Sequence, residues 1–264
     1  VDRVQGNVVY DNGLVRIDDA QLSIGAGNAK VKGQYVVDTG DFDAVANVHN
    51  LSLDTFTQDL TIPITGTVDG EVHVLGKNNQ VTDLVGAVQG HQIGVRGVVL
   101  DSVKADLTHS DNLTNITMVG NMGTGSFSGY GSIQNGQVDA TISGNALPLT
   151  SLSSIIGEDV AGTVSTSINV KGALDNPNVT GTVWGQEVLY NGAYFNDIHS
   201  DITLDNHVLT ITNGHIGDGS GGYDITGWYN INTDALDLNA KARAVRIENL
   251  IRPVTDIPIT GWFE

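Results

Sequence analysis

The string GTVDGEVHVLG at 66–76 returns as GTVSTSINVKG at 162–172, and a third start, IPITGWFE, occupies 257–264. From Gly66 to Gly162 the offset is 96 residues, and from Gly162 to Gly261 it is 99. Solenoid coils and propeller blades repeat every ~20 to 50 residues, so a longer period describes a block of several elements. Read this way, the chain begins and ends partway through blocks. That predicts a section of a longer repetitive protein: the end of one repeat at 1–62, whole repeats at 63–159 and 160–256, and the start of another at 257–264.

Within a block the dominant signal is alternation of apolar and polar residues. Val68, Gly70, Val72 and Val74 share one parity, while Asp69, Glu71 and His73 take the other. Val164, Thr166, Ile168 and Val170 repeat the pattern one block later. Val103, Ala105 and Leu107 alternate in the same way, as do Ile116 and Met118, and Phe127, Gly129, Gly131 and Ile133. So do Val138, Ala140 and Ile142, then Ile198, Ile202 and Leu204. Tyr223, Ile225, Tyr229 and Ile231 follow, and last Leu236, Leu238 and Ala240. A period of two means half-buried strands with one apolar face. The pairs Asn12-Gly13, Asn135-Gly136, Asn191-Gly192 and Asn213-Gly214 supply hairpin turns between them. The block therefore reads as an antiparallel meander of about five or six strands.

One segment per block departs from alternation. Leu53, Phe56, Thr57 and Leu60 stand at i, i+3, i+4 and i+7, matched by Leu149, Leu152, Ser153 and Ile156 and by Ile247, Leu250, Ile251 and Val254. The spacing predicts an amphipathic helix of about two or three turns, or a helical loop, linking one block to the next. The prolines at 63, 148, 177, 253 and 258 all fall at strand starts, turns or these connectors, where no ladder hydrogen bond is lost.

A meander with one apolar face needs that face covered, and nothing else in the sequence supplies a second layer. The expected architecture is all-β: an elongated antiparallel sheet of repeated multi-strand units curled into a U-shaped groove, with glycines such as Gly70, Gly129, Gly131 and Gly227 easing the bend. Two outcomes are open for the interior. Side chains from the two walls meet and fill it, or it stays partly open to apolar guests. The lining is Val, Ile, Leu, Ala and Gly, with aromatics at only 6% of the chain, which leaves space.

Charge narrows the partners. Thirty Asp plus Glu against 12 Lys plus Arg leave a net −18, which opposes binding to nucleic acid and to anionic lipid surfaces. No cysteine is present, so disulfides and thiolate metal sites are excluded. No apolar run is long enough to span a bilayer as a helix.

The segment GTVSTSINVKGALDNPNVTGTV at 162–183 resembles the strand-turn-strand signature of the TamB/AsmA-like family. The match lies in the turn from Gly172 through Leu174 and Pro177 to Gly181, then in an alternating strand from Asp197 to Leu204. A short strand at Leu209 and Ile211, a glycine-rich strand from Gly217 to Gly227, Asp237-Leu238 and the helical connector follow in that family's order. The first block departs from it, with Gly76-Lys77-Asn78-Asn79-Gln80-Val81 where the family has a proline turn. The resemblance implies a periplasmic protein of a diderm bacterium, anchored in the inner membrane by a segment outside this sequence. It further implies a hydrophobic groove that carries phospholipid acyl chains to the outer membrane, and a BamA-like barrel as partner. On that implication the alternating apolar residues named above line the groove as a surface. The alternatives are a factor that templates outer-membrane strands by β-augmentation, and a structural or adhesive repeat with a packed core.

No other chemistry is expected. The histidines at 49, 73, 91, 109, 199, 207 and 215 lack metal-ligand spacing, and most take polar parities or turns. The stretch from His215 to Asp224 resembles a glycine-aspartate calcium repeat, but it occurs once and reads as a glycine-rich hairpin. Neither Gly-x-Ser-x-Gly nor a P-loop is present, and no carboxylates pair for acid–base work, so neither an enzyme nor a cofactor is expected. Trp228 and Trp262 take the parity opposite to the apolar face and mark a candidate partner contact.

Overall fold

The computed structural model describes residues 2–58, 63–156, 160–246, 248 and 261–263. Sixteen strands are hydrogen-bonded in chain order into one antiparallel sheet whose edges are its first and last strands, so it does not close into a barrel. They are β1 (Arg3–Asp11), β2 (Leu14–Ile24), β3 (Gly27–Val36), β4 (Asp41–Ser52), β5 (Ile64–Lys77), β6 (Gln80–Val95), β7 (Val98–Ser110) and β8 (Leu113–Met122). The chain continues with β9 (Gly125–Gln134), β10 (Gln137–Pro148), β11 (Val160–Ala173), β12 (Asn176–Tyr190), β13 (Ala193–Asp205), β14 (Val208–Gly217), β15 (Gly222–Asn230) and β16 (Leu236–Arg243). A separate pair, β17 (Val245–Arg246) and β18 (Trp262–Phe263), ends the described chain. Two compact units emerge: Val1–Asn121 with Tyr130–Asn135, and Met122–Gly129 with Gly136–Glu264.

The sequence repeat has a backbone counterpart. β5 and β11 are each 14 residues long and begin 96 residues apart, at Ile64 and Val160. Six strands, β5 to β10, separate the two starts. The irregular backbone recurs as well. Gly66 and Gly162 have φ of 109° and 106°, and Gln92 and Glu187, near their ladder partners, each sit at 50°. Asn50, Ala146 and Ala244 take the left-handed conformation at 48°, 48° and 51°. Each stands just before the same junction, in which Leu51 pairs with Val68, Leu147 with Val164 and Val245 with Phe263. At the first two junctions the register shifts, between Val48 and Leu51 and between Gly144 and Leu147, so the apolar parity changes from even to odd while the apolar face stays the same.

Hairpin chemistry follows the sequence at Asn12-Gly13, Asn135-Gly136 and Asn191-Gly192, where both central residues have positive φ. Asn78-Asn79, Asp111-Asn112 and Asn206-His207 make the same kind of turn without glycine, since Asn and Asp tolerate that conformation. Asn213-Gly214 is a correction. It lies inside β14 as a bulge, with Asn213 at φ 50° and its amide donating to the Asp201 carboxylate across the ladder at 2.8 Å. A hairpin and a bulge both need a residue in that conformation, and here the ladder runs through it.

Both described connectors carry helical turns where the spacing predicts them. The first is a single turn, α1 (Asp54–Thr57), and the second is a 3-10 turn at Leu149–Leu152 followed by α2 (Ser153–Ile156). Isolated helices this short are not stable alone, and α1 has no side-chain cap at its start. It is held by Thr57, whose hydroxyl donates to the Leu53 carbonyl and accepts from the Ile64 N–H of β5. The third connector, with Pro253 and Pro258, lies outside the described residues.

Candidate functional site

Register shows which residues share a face, because directly opposed residues in an antiparallel pair point the same way. In the first unit, Val68, Gly90, Val103 and Gly120 form one row across β5–β8. The next rows are Gly70, Val88, Ala105 and Met118, then Val72, Gly86, Leu107 and Ile116. Val74 continues the face beside Leu84, with His109 and Thr114 closing that row by a 2.8 Å hydrogen bond. The face extends back through Ala46, Val31 and Ala20 to Gly6 on β1. The expected lining residues Val68, Val72, Val74, Val103, Leu107, Ile116 and Met118 are thus neighbours on one surface.

The second unit repeats the arrangement. Ile142, Ile168, Gly181, Ile202, Ile211, Gly227 and Leu238 form one row from β10 to β16. Beside it run Val170, Val179, Leu204, Leu209, Tyr229 and Leu236. On the other side lie Val164, Gly185, Ile198, Ile216 and Tyr223, with Ile225 between the rows. Val138 joins through its partner Gly172. Phe127 and Ile133 share one parity of β9, Phe127 half-buried and Ile133 exposed.

Most of these side chains are half-buried rather than buried. Neighbours about 4.8 Å away along a row shield each other laterally, but full burial needs a layer on top. Among the described residues, buried apolar side chains are few: Ala20, Ile24 and Ala29 in the first unit, and Met122, Val188, Ala193, Tyr223 and Val245 in the second. Several expected lining residues are open to water. Ile142 is 40% exposed, Leu236 61% and Leu238 56%. Leu236 and Leu238 lie on β16, which has a neighbour on one side only. The Tyr223 hydroxyl is enclosed without a hydrogen-bond partner, and burial pushes its pKa up, with the Asp218 charge adding to the shift.

The opposite face is polar and carries the charged groups. His73 pairs with Asp43 at 2.7 Å, and Asp69 receives His49 together with the Asn50 backbone N–H. The Asn50 bond, then the His49 contact, lowers the Asp69 pKa. Hydrogen bonds from Ser110 and then Thr82 lower that of Asp83, and one from His215 lowers that of Asp224. A carboxylate with a depressed folded pKa contributes stability above its unfolded value, and that contribution disappears as pH falls through the folded one. All three groups are exposed, so each effect is small. In urea unfolding below pH 4, an Asp83→Asn, Asp224→Asn double variant is expected to lose less stability per pH unit than the parent. Comparing the pair separates this from the relief of net negative charge, which is common to both. Identical slopes would refute the assignment.

The cluster of His199, His215, Asp224, Lys241 and Arg243 on the second unit's polar face is not apparent from the sequence. Its members are 16, 9, 17 and 2 residues apart, and only the register of β13–β16 brings them together. Trp228 faces the same way and is exposed, opposite Thr210 and Asp237. Among the described residues no group of three or more His, Asp or Glu is placed to hold a metal ion. Comparisons with protein-family models, with curated proteins and with solved structures find no match to this chain.

Proposed function

We propose that this chain is a section of a lipid conduit of the TamB/AsmA-like kind, in which the apolar rows carry phospholipid acyl chains between the two membranes of a diderm envelope. One observation carries the reading. Both units present rows of Val, Ile, Leu and Gly, strand after strand, that are only half-buried. A repeat with a solid packed core would bury those side chains, so their exposure favours a guest over a filled interior.

The chemistry is burial alone. Each acyl methylene taken from water contributes ~0.8 kcal/mol. Rows of similar side chains give similar affinity at each strand, so a chain moves along them over small barriers. The rows carry no charged side chain to fix a headgroup, which therefore stays in water at the rim. No reaction is catalysed and no cofactor is used. On this reading the protein works in the periplasm, is held to the inner membrane by a segment outside this sequence, and meets a BamA-like barrel through other parts.

The test is organic extraction and native mass spectrometry of the protein purified from a diderm host. Phospholipid is expected to co-purify and to be displaced by an apolar fluorophore. Protein that carries no lipid and takes up no apolar probe would end the proposal.

A further inference from the structure

The polar face of the second unit holds a concavity of about 620 Å³. Trp184, His199, His215, Asp224 and Lys241 form a single row across β12–β16, and the last four of them line it. The two histidine rings stack with centroids 5.4 Å apart and planes 28° from parallel. Asp224 is already engaged, by His215 at 3.1 Å and by Arg243 at 3.7 Å, and Asp197 lies 4.0 Å from the far nitrogen of His215. Lys241 opens onto the cavity beside Asp224, whose pKa its charge helps to lower. A chain with net charge −18 thus gathers a lysine, an arginine and two histidines around a single carboxylate, Asp224, in one hollow. Such a grouping is favourable when an anion sits among them.

The remaining wall narrows the class. Asn213, Thr226 and Asn239 offer amide and hydroxyl groups that both donate and accept, the pattern that sugar hydroxyls require. Trp184, opposite His199, is 46% exposed, and Trp228, two residues beyond Thr226 on the same face, is 39% exposed. Exposed indole faces beside a polar hollow stack against the C–H faces of sugar rings. The volume is in the range of small-molecule sites and far exceeds that of a bare phosphate. An acyl chain on the apolar rows lies on the other side of the sheet, so its headgroup does not reach here.

We infer that this hollow binds an anionic saccharide, with Lys241, Arg243 and the histidine pair facing the charged group and the indole of Trp184, next to His199, at the rim for the sugar. The site is independent of the lipid reading. The test titrates the full chain with trehalose 6-phosphate and follows the ring protons of His199 and His215 together with tryptophan fluorescence. Trehalose, inorganic phosphate and phosphatidylglycerol vesicles are separate arms. Saturable binding at least about tenfold tighter than to trehalose or phosphate is expected. Lys241→Gln and Trp184→Ala are each expected to weaken it at least about fivefold with unchanged circular dichroism, and Lys241→Arg to retain it. Equal binding of inorganic phosphate, a response to vesicles alone, no saturation, or an unaffected Lys241→Gln variant would each overturn the inference.

Discussion

An Ile168→Asp variant is expected to bind apolar fluorophores and co-purifying phospholipid at least about tenfold less tightly than the parent, while Ser167→Asp binds them unchanged. The two positions are adjacent on β11, and the strand's period of two places them on opposite faces. Ile168 stands between Ile142 and Gly181 in an apolar row of the second unit that runs from β10 to β16, whereas Ser167 stands between Ser143 and Thr182 on the polar side. A carboxylate in the row keeps its water and blocks a hydrocarbon from lying across it, because desolvating the charge costs more than the lost methylene contacts return. Ile168 is only half-buried, so the sheet itself tolerates the change. Equal loss in both variants would mean that uptake reports general destabilisation. Loss in neither would mean that the apolar rows are not where guests bind.

Legibility in the sequence divides by the range of the interaction. Alternation in β5, β7, β11 and β13 is local, and register puts Val72 with Leu107 on one face in the first unit and Ile168 with Ile202 on one face in the second. The Asn-Gly turns were legible for the same reason. The bulges were not: Asn50, Ala146 and Ala244 do the same job with two residue types, so nothing in their identities marks it. The one available signal was a phase change, from even apolar positions through Val48 to odd ones from Leu51. The connector spacing was legible too, because i, i+3, i+4 periodicity is local, and helical turns stand at Asp54–Thr57, Leu149–Leu152 and Ser153–Ile156. The polar-face cluster depends on the register of four strands, with two bulges in β14 pairings, and no single-sequence pattern encodes that.

Gly162→Ala is expected to destabilise the second unit by about 3 kcal/mol or more, while Gly136→Ala costs about 1 kcal/mol. Both glycines have positive φ, 106° and 73°, so both variants carry the conformational penalty of an L side chain there. They differ in what the new methyl meets. At Gly136 nothing lies within 4 Å, whereas at Gly162 the methyl falls 2.5 Å from the Glu187 carbonyl oxygen of β12. That oxygen belongs to the backbone of a paired strand and cannot rotate away. Gly66 repeats the situation against the Gln92 carbonyl at 2.5 Å, so the close approach is a feature of the repeat and Gly66→Ala should match Gly162→Ala. Urea midpoints of the three variants decide the matter. Equal losses at 136 and 162 would show that φ alone matters and that the strand crossing at the start of each repeat is looser than its geometry requires.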